Sequence, residues 1–478
     1  MNVTSLLTGG RRSSAIRSDG SVSDRRLGHR AVVLGGSLAG LLSGSVLAGH
    51  FDQVVIIERD DLAGHLGGPR RGAPQSRHSH GLLVGGSRAF ERLLPGFTKD
   101  LIARGAVQTD VIGRARWVIG GVEQARFDSD LDAIMASRPL IEDEMRRRVL
   151  GLPNVVALGG HDVVGLVVSD DKRRVLGART ASNASSGTAE ATAEDLVDNG
   201  TVLADLVVDA TGRGSRAATW LTELGYSAVK EDVVENGLTY ATHLFRQRPG
   251  VLDDLDFEVV GSDPEGSRSG AALRQENGLW TVTLIGAFGE RPPTELAGFE
   301  AFARGLRTSG LAEIIAGCEP VGELRTFRYP SSRWLHWEKM AELPERFMVI
   351  GDAACSFNPA YGQGMSSAAQ QAVALADVLE GGLPGLSVRS AKAIAGVIAT
   401  PWALATGTDR RHVSQPAKPL PERLVDRYLD RFVAVAAHDR KAAMAFSRVL
   451  NLLAAPTSLL SPRLAARVLR PGSRRREA

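Results

Sequence analysis

The stretch Phe347–Met365, FMVIGDAACSFNPAYGQGM, decides how this chain is read. Phe347 to Ile350 are four apolar residues of strand length. Gly351 breaks the run, Pro359, Gly362 and Gly364 mark a loop, and an apolar helical pattern follows from Ser366 to Leu379. The order is strand, glycine-rich loop, helix. Amides at a helix start carry partial positive charge, so an anion or the electron-rich edge of a ring can rest against Gly364 and Met365. Asp352 would repel a phosphate; its economical partners are sugar-alcohol hydroxyls, which donate charge-assisted hydrogen bonds to a carboxylate. The combination suggests a flavin, with an ordinary βα loop as the alternative.

Upstream, Arg30–Leu34 is a short apolar strand, GGSLAG spans Gly35–Gly40, Leu41–Ala48 is helical, and Val54–Ile57 is a second strand ending at Glu58 and Arg59. In this βαβ unit Glu58 falls 23 positions after Gly35, close to the roughly 20 at which the acidic residue of a dinucleotide fingerprint binds ribose hydroxyls. Ser37 replaces the glycine at which the backbone approaches a pyrophosphate; serine is the smallest substitute and its hydroxyl can donate to phosphate. Leu203–Ala210 is a buried strand running into DATGRGSRAATWL, where Gly212, Gly214 and Ala217 fit GxGxxA. A second nucleotide unit for a nicotinamide is discounted, because no strand-borne acidic residue follows at the right distance.

GDAACSFNPAYGQGM resembles the second FAD-binding motif of flavoprotein monooxygenases of the aromatic hydroxylase and squalene epoxidase type. GAPQSRHSHGLL, Gly72–Leu83, is similar to a loop of the bacterial polyether-antibiotic epoxidases that lies beside the flavin. That resemblance implies a cofactor contact for Arg77, within a basic cluster of Arg70, Arg71 and Arg77 beside His78 and His80. Arg138, before the helical run Leu140–Leu150, matches an arginine that touches the FAD pyrophosphate or adenosine; a salt bridge with Glu142 is its alternative. DATGRGSR resembles a strand end of the FAD domain itself. The implied cofactor site is Gly35, Ser37, Gly40, Glu58, Arg59, Arg77, Arg138, Gly351, Asp352, Pro359, Gly362, Gly364 and Met365.

The implied fold is α/β: a Rossmann-like FAD-binding domain with an inserted β-sheet substrate domain and C-terminal helices. Residues 1–28 are expected to be a disordered leader. Residues 29–110, 138–225 and 328–380 form the FAD-binding domain, 111–137 and 226–327 the substrate domain, and 381–478 C-terminal linkers and helices. Within these, Arg116–Ile119 and Ala125–Phe127 read as strands, as do Asn154–Leu158, Val163–Val168, Gly237–Phe245, Phe257–Val260, Ala271–Gln275 and Leu279–Ala287. Thr180–Asn199, poor in bulky apolar residues, reads as a mobile hairpin tip. Gly381–Ala391 and Gly407–Pro421 read as linkers around PWALATG, and Glu422–Val468 as two or three helices packed on the substrate domain.

Composition narrows the classes. With 478 residues the chain has room for two or three domains. A net charge of +3, with 50 arginines against seven lysines, gives no reason to expect a nucleic-acid partner. Cys318 and Cys355 form no CxxC pair, which argues against a disulfide framework and for a reducing cytoplasm. No apolar run has the length of a membrane span, and peripheral membrane contact by the C-terminal helices is the sharper alternative. His78 and His80 have no evident third metal ligand.

The resemblance implies FAD, O2 and electrons from NAD(P)H or a separate flavin reductase. It implies oxygen transfer from a flavin C4a-hydroperoxide, with no protein nucleophile and with the backbone of Gly364 and Met365 supporting the flavin. The expected reaction is epoxidation of a lipophilic polyene or polyketide, free or bound to a carrier protein, in polyether-type secondary metabolism. Aromatic hydroxylation, flavin-dependent alkene reduction and a non-enzymatic flavoprotein sensor are the alternatives.

Overall fold

A computed structural model describes residues 26–62, 74–183, 196–261, 267–412 and 420–470. Most of the leader, Arg70 and Arg71, most of the 180–199 hairpin tip and residues 413–419 lie outside them.

Five strands form a parallel sheet in the order Phe347–Val349, Leu206–Asp209, Gly28–Leu34, Phe51–Ile57, Val155–Leu158. These strands read as continuous apolar runs because the sheet is covered on both faces. The helix Leu38–Ala48 is apolar nearly all round and buried along most of its length, as a helix packed on more than one side must be. Gly35 has φ +98°, and a Cβ there would lie 2.6 Å from the Ala210 carbonyl oxygen. A Cβ on Gly40 would collide with the Gly35 carbonyl oxygen, so glycine at 40 lets the helix close on the turn. Gly40→Ala is expected to cost about 1–3 kcal/mol, the usual penalty of overpacking against backbone that cannot yield. An unchanged thermal melt would refute this close approach.

The second sheet has eight strands: Cys355–Ser356, Cys318–Leu335, Glu231–Gln247, Leu279–Gly286, Arg268–Gln275, Phe257–Val260, Ala115–Ile119 and Val122–Glu123. Alternation along it separates two faces. Ala241, Phe245, Trp280, Val282 and Leu284 pack against Phe299, Phe302, Leu311 and Ile314 of the helices Leu296–Arg304 and Gly310–Ala316. Leu238, Tyr240, Phe257, Val259, Thr283, Ile285, Phe327 and Tyr329 look the other way, into a cavity.

Two expectations are corrected. Ala125–Phe127 is not a strand: the chain turns at Gly120–Gly121, and Val122–Glu123 pairs back on Val118–Ile119 before the ladder ends. Gly381–Ala391 is not a linker throughout, nor is PWALATG a short segment between linkers. A helix of 27 residues, Leu386–His412, begins after the glycine-rich turn and runs through Pro401. Leu386, Ser390, Ile394, Ile398, Trp402 and Ala405 keep one buried stripe at helical spacing, and this packing outweighs the one backbone hydrogen bond that proline removes. Leu420–Ala436, Arg440–Leu450 and Pro462–Leu469 complete the C-terminal helices. Among the described residues no helix is long and apolar enough to cross a membrane.

Candidate active site

The carboxyl ends of the parallel strands share one edge, where ligands of open α/β sheets bind. Gly35, Ser37, Glu58, Ala210, Thr211, Gly212 and Asp352 gather there and line one end of a cavity of about 1250 Å³. The cavity continues to the inner face of the eight-stranded sheet and is closed by Leu404, Leu429, Val433, Phe446 and Leu459 of the C-terminal region.

Eleven of the thirteen expected cofactor residues line this one space: Gly35, Ser37, Glu58, Arg59, Arg138, Gly351, Asp352, Pro359, Gly362, Gly364 and Met365. Gly40 sits behind the turn it shapes, and Arg77 is exposed at the end of the short helix Pro74–Arg77; neither lines the cavity. Glu58 is buried, and its carboxylate accepts from the Gly36 amide at 2.7 Å and the Asp60 amide at 3.2 Å. Arg59 is exposed and pairs with Asp162 at 3.2 Å.

The Ser37 hydroxyl donates to Glu142 Oε1 at 2.9 Å and accepts from Arg138 Nη2 at 3.0 Å. Its proton is thus held by a carboxylate, and the helix amides of Leu38 and Ala39 are what this turn offers an anion. Arg138 does make the salt bridge to Glu142, Nε to Oε1 at 2.8 Å, while also lining the cavity. The two alternatives for Arg138 are geometrically compatible.

Gly351, at φ +68°, aims the following residue into the cavity. Asp352 has accessible surface only because it opens onto that space; the protein walls around it raise its pKa, against the pull of Arg138 and Arg213. Further along the loop, Asn358 Oδ1 accepts from the Ala360 amide at 2.9 Å and the Tyr240 hydroxyl at 3.0 Å, tying the glycine-rich loop to the large sheet. Arg213 donates to the Ser331 carbonyl at 2.6 Å and to Ser356 Oγ at 2.8 Å, and stacks 4.9 Å over the Tyr329 ring. The reading of the sequence missed Asn358, Tyr240, Arg213 and Tyr329. Asn358 lies inside the quoted motif and Arg213 inside DATGRGSR, so position within the motifs was the available signal.

His78 and His80 both line the cavity. Burial lowers the pKa of His78 to about 4; burial, with the Arg138 charge second, lowers that of His80 to about 3. Both are neutral at pH 7. Among the described residues no cluster of His, Cys, Asp or Glu is arranged to hold a metal. A histidine kept neutral on folding supports stability above its unfolded pKa near 6.5, and that support is lost as the pH falls. The stability gap between the wild type and His80→Gln is therefore expected to narrow from pH 7 to pH 4 in urea titrations. A gap that stays constant would mean that His80 takes up protons freely.

The residues present fit a flavin dinucleotide. Added Cβ atoms on Gly212, Gly214, Gly362 and Gly364 would meet nothing within 4 Å, so these backbones border open space. Among the described residues, Gln363 Oε1 is buried beside them without a hydrogen-bond partner.

The architecture is that of the flavin-dependent monooxygenases. The flavin-dependent brominase Bmp2 superposes with a TM-score of 0.60 at 14% identity, covering 92% of this chain and 97% of that one. p-Nitrophenol 4-monooxygenase PnpA from Pseudomonas putida DLL-E4 gives 0.59 at 21%, covering 89% and 98%. A flavoprotein/dehydrogenase from Cytophaga hutchinsonii gives 0.62 at 15%, covering 88% and 92%. In sequence, the chain is 32% identical over 440 residues to Protein Rv3254 of Mycobacterium tuberculosis (strain ATCC 25618 / H37Rv), covering 88% of this chain and 89% of that protein, and it belongs to the same family. No family model matches the chain.

Proposed function

We propose that the chain is an FAD-dependent monooxygenase that oxygenates an electron-rich carbon–carbon π bond of a lipophilic small molecule. The observation that carries this reading is the continuity of the cavity. Its volume of about 1250 Å³ exceeds the roughly 300–1,000 Å³ of common single-ligand pockets, leaving room for a dinucleotide and a substrate together. Glu58 and the Leu38–Ala39 amides lie toward one end, Asp352 and the Gly362–Met365 loop in the middle, and an apolar sheet face at the other. Bound FAD would supply the oxygen-transfer chemistry. Glu58 and Asp352 would accept hydrogen bonds from its sugar-alcohol hydroxyls, and the amides at the start of Leu38–Ala48 would take its phosphates. The sheet and the C-terminal helices would orient the substrate and exclude water.

Olefin epoxidation of a polyene or polyketide needs only that orientation and dryness, and the apolar lining supports it. Hydroxylation of a phenol is the second reading, favoured by the neutral imidazole of His78 at the apolar end. Electrons would come from NAD(P)H docking briefly or from a separate flavin reductase. The deciding experiment releases flavin from denatured protein, then supplies ¹⁸O2, an added flavin reductase and panels of polyenes and phenols, with products read by mass spectrometry. One labelled oxygen gained per polyene double bond supports epoxidation, whereas gain by phenols alone establishes hydroxylation. Absence of flavin overturns both.

A further inference from the structure

A chain of hydroxyls behind His78 keeps all of its hydrogen bonds in one direction only. Ser79 lines the cavity just before the short strand Gly81–Leu82, and its Oγ lies 3.1 Å from the Thr281 carbonyl oxygen and 2.8 Å from Thr283 Oγ1. A carbonyl can only accept, so the arrangement that keeps both of these bonds has Ser79 donating to Thr281 and accepting from Thr283, whose oxygen also takes the Ser79 amide at 3.4 Å. Thr283, its proton spent on Ser79, accepts from Thr242 Oγ1 at 2.8 Å; the two threonines sit directly opposite on paired strands. Thr242 in turn accepts from His78 Nδ1 at 2.7 Å. Thr242 and Thr283 are both buried.

We infer that His78 is held with its proton on Nδ1, so that Nε2 faces the cavity as a bare acceptor and selects lipophilic substrates carrying an O–H or N–H group. The nature of the oxygenation rests on the function proposed above, but the tautomer does not. Among the described residues Nε2 has no hydrogen-bond partner, while the ring lies 5.4 Å from Phe327 and 6.2 Å from Tyr240, both cavity residues. A carboxylate substrate would oppose one lone pair with another, and an ether would leave Nε2 desolvated and unsatisfied. Burial keeps the imidazole neutral at pH 7, so His78 acts by accepting a hydrogen bond and positioning the donor rather than by carrying a charge.

Long-range ¹H–¹⁵N spectra of the full chain with ¹⁵N-labelled histidine, purified with whatever flavin it carries and assigned by comparison with His78→Gln, read the tautomer directly. The expected result is an unprotonated Nε2 at pH 7, with loss of that preference in Thr242→Val. A protonated Nε2 overturns the assignment. Binding of 2-naphthol against 2-methoxynaphthalene gives the second readout: a preference for the naphthol of about three- to tenfold, the worth of one neutral hydrogen bond, that disappears in His78→Phe. A preference that survives that substitution, or is absent from the wild type, overturns the selection role. Flavin released from the same samples reports separately on the oxygenase reading: protein with the Nδ1–H tautomer but no flavin sinks that reading alone.

Discussion

Asp352→Ala is expected to raise the dissociation constant for FAD by about ten- to a hundredfold, since a hydrogen bond to a charged group contributes about 1.5–3 kcal/mol. Gly351 turns the chain with φ +68°, Asp352 opens onto the cavity, and Arg138 and Arg213 are the charges that bear on it. With its pKa raised by the enclosing protein, the carboxylate gains most from donors that stabilise its ionised form. Binding is therefore expected to strengthen as the pH rises through that raised value. Asp352→Asn keeps one acceptor oxygen and should lose less. Fluorescence titration of stripped protein measures both, and an unchanged constant would remove Asp352 from the site.

Arg138→Met should be the most damaging single change for the protein as a whole. Arg138 and Glu142 are both buried, and Glu142 Oε1 also receives the Ser37 hydroxyl. Removing one partner of a buried pair costs about 3–5 kcal/mol; the low end is expected, because Arg146 remains 3.5 Å from Glu142 Oε2. Adding Glu142→Gln removes the stranded charge and should restore part of the loss in urea titrations. FAD affinity should stay depressed in the double variant, because the cation lining the cavity is still missing. Recovery of affinity together with stability would make Arg138 a scaffold residue only.

Local patterns carried most of the parallel-sheet end of the cavity. The βαβ unit at Gly28–Ile57 and the strand, loop and helix from Phe347 to Leu379 are each contiguous in sequence, and turn chemistry marks their joints. The long-range relations were not legible. Nothing in Ala115–Ile119 says that it pairs in parallel with Phe257–Val260, nor that Tyr240 will meet Asn358. Glycine and proline misled at 381–401, where a helix continues because its buried stripe is satisfied by neighbours far away in sequence. The tautomer of His78 depends on three hydroxyls from three segments, and no periodicity encodes it.

The parallel sheet also sets a schedule for the ribosome. Leu206–Asp209 must sit between Gly28–Leu34 and Phe347–Val349, and 319 positions separate the starts of the first and last of these strands. At about 5–20 residues per second, a nascent chain carries the incomplete sheet, with an apolar strand edge uncovered, for roughly 15–65 s. During that interval the emerging polypeptide is a template for pairing with other chains. Slower initiation or abundant holdase chaperone should therefore increase the recovered fraction more than any change to the finished surface.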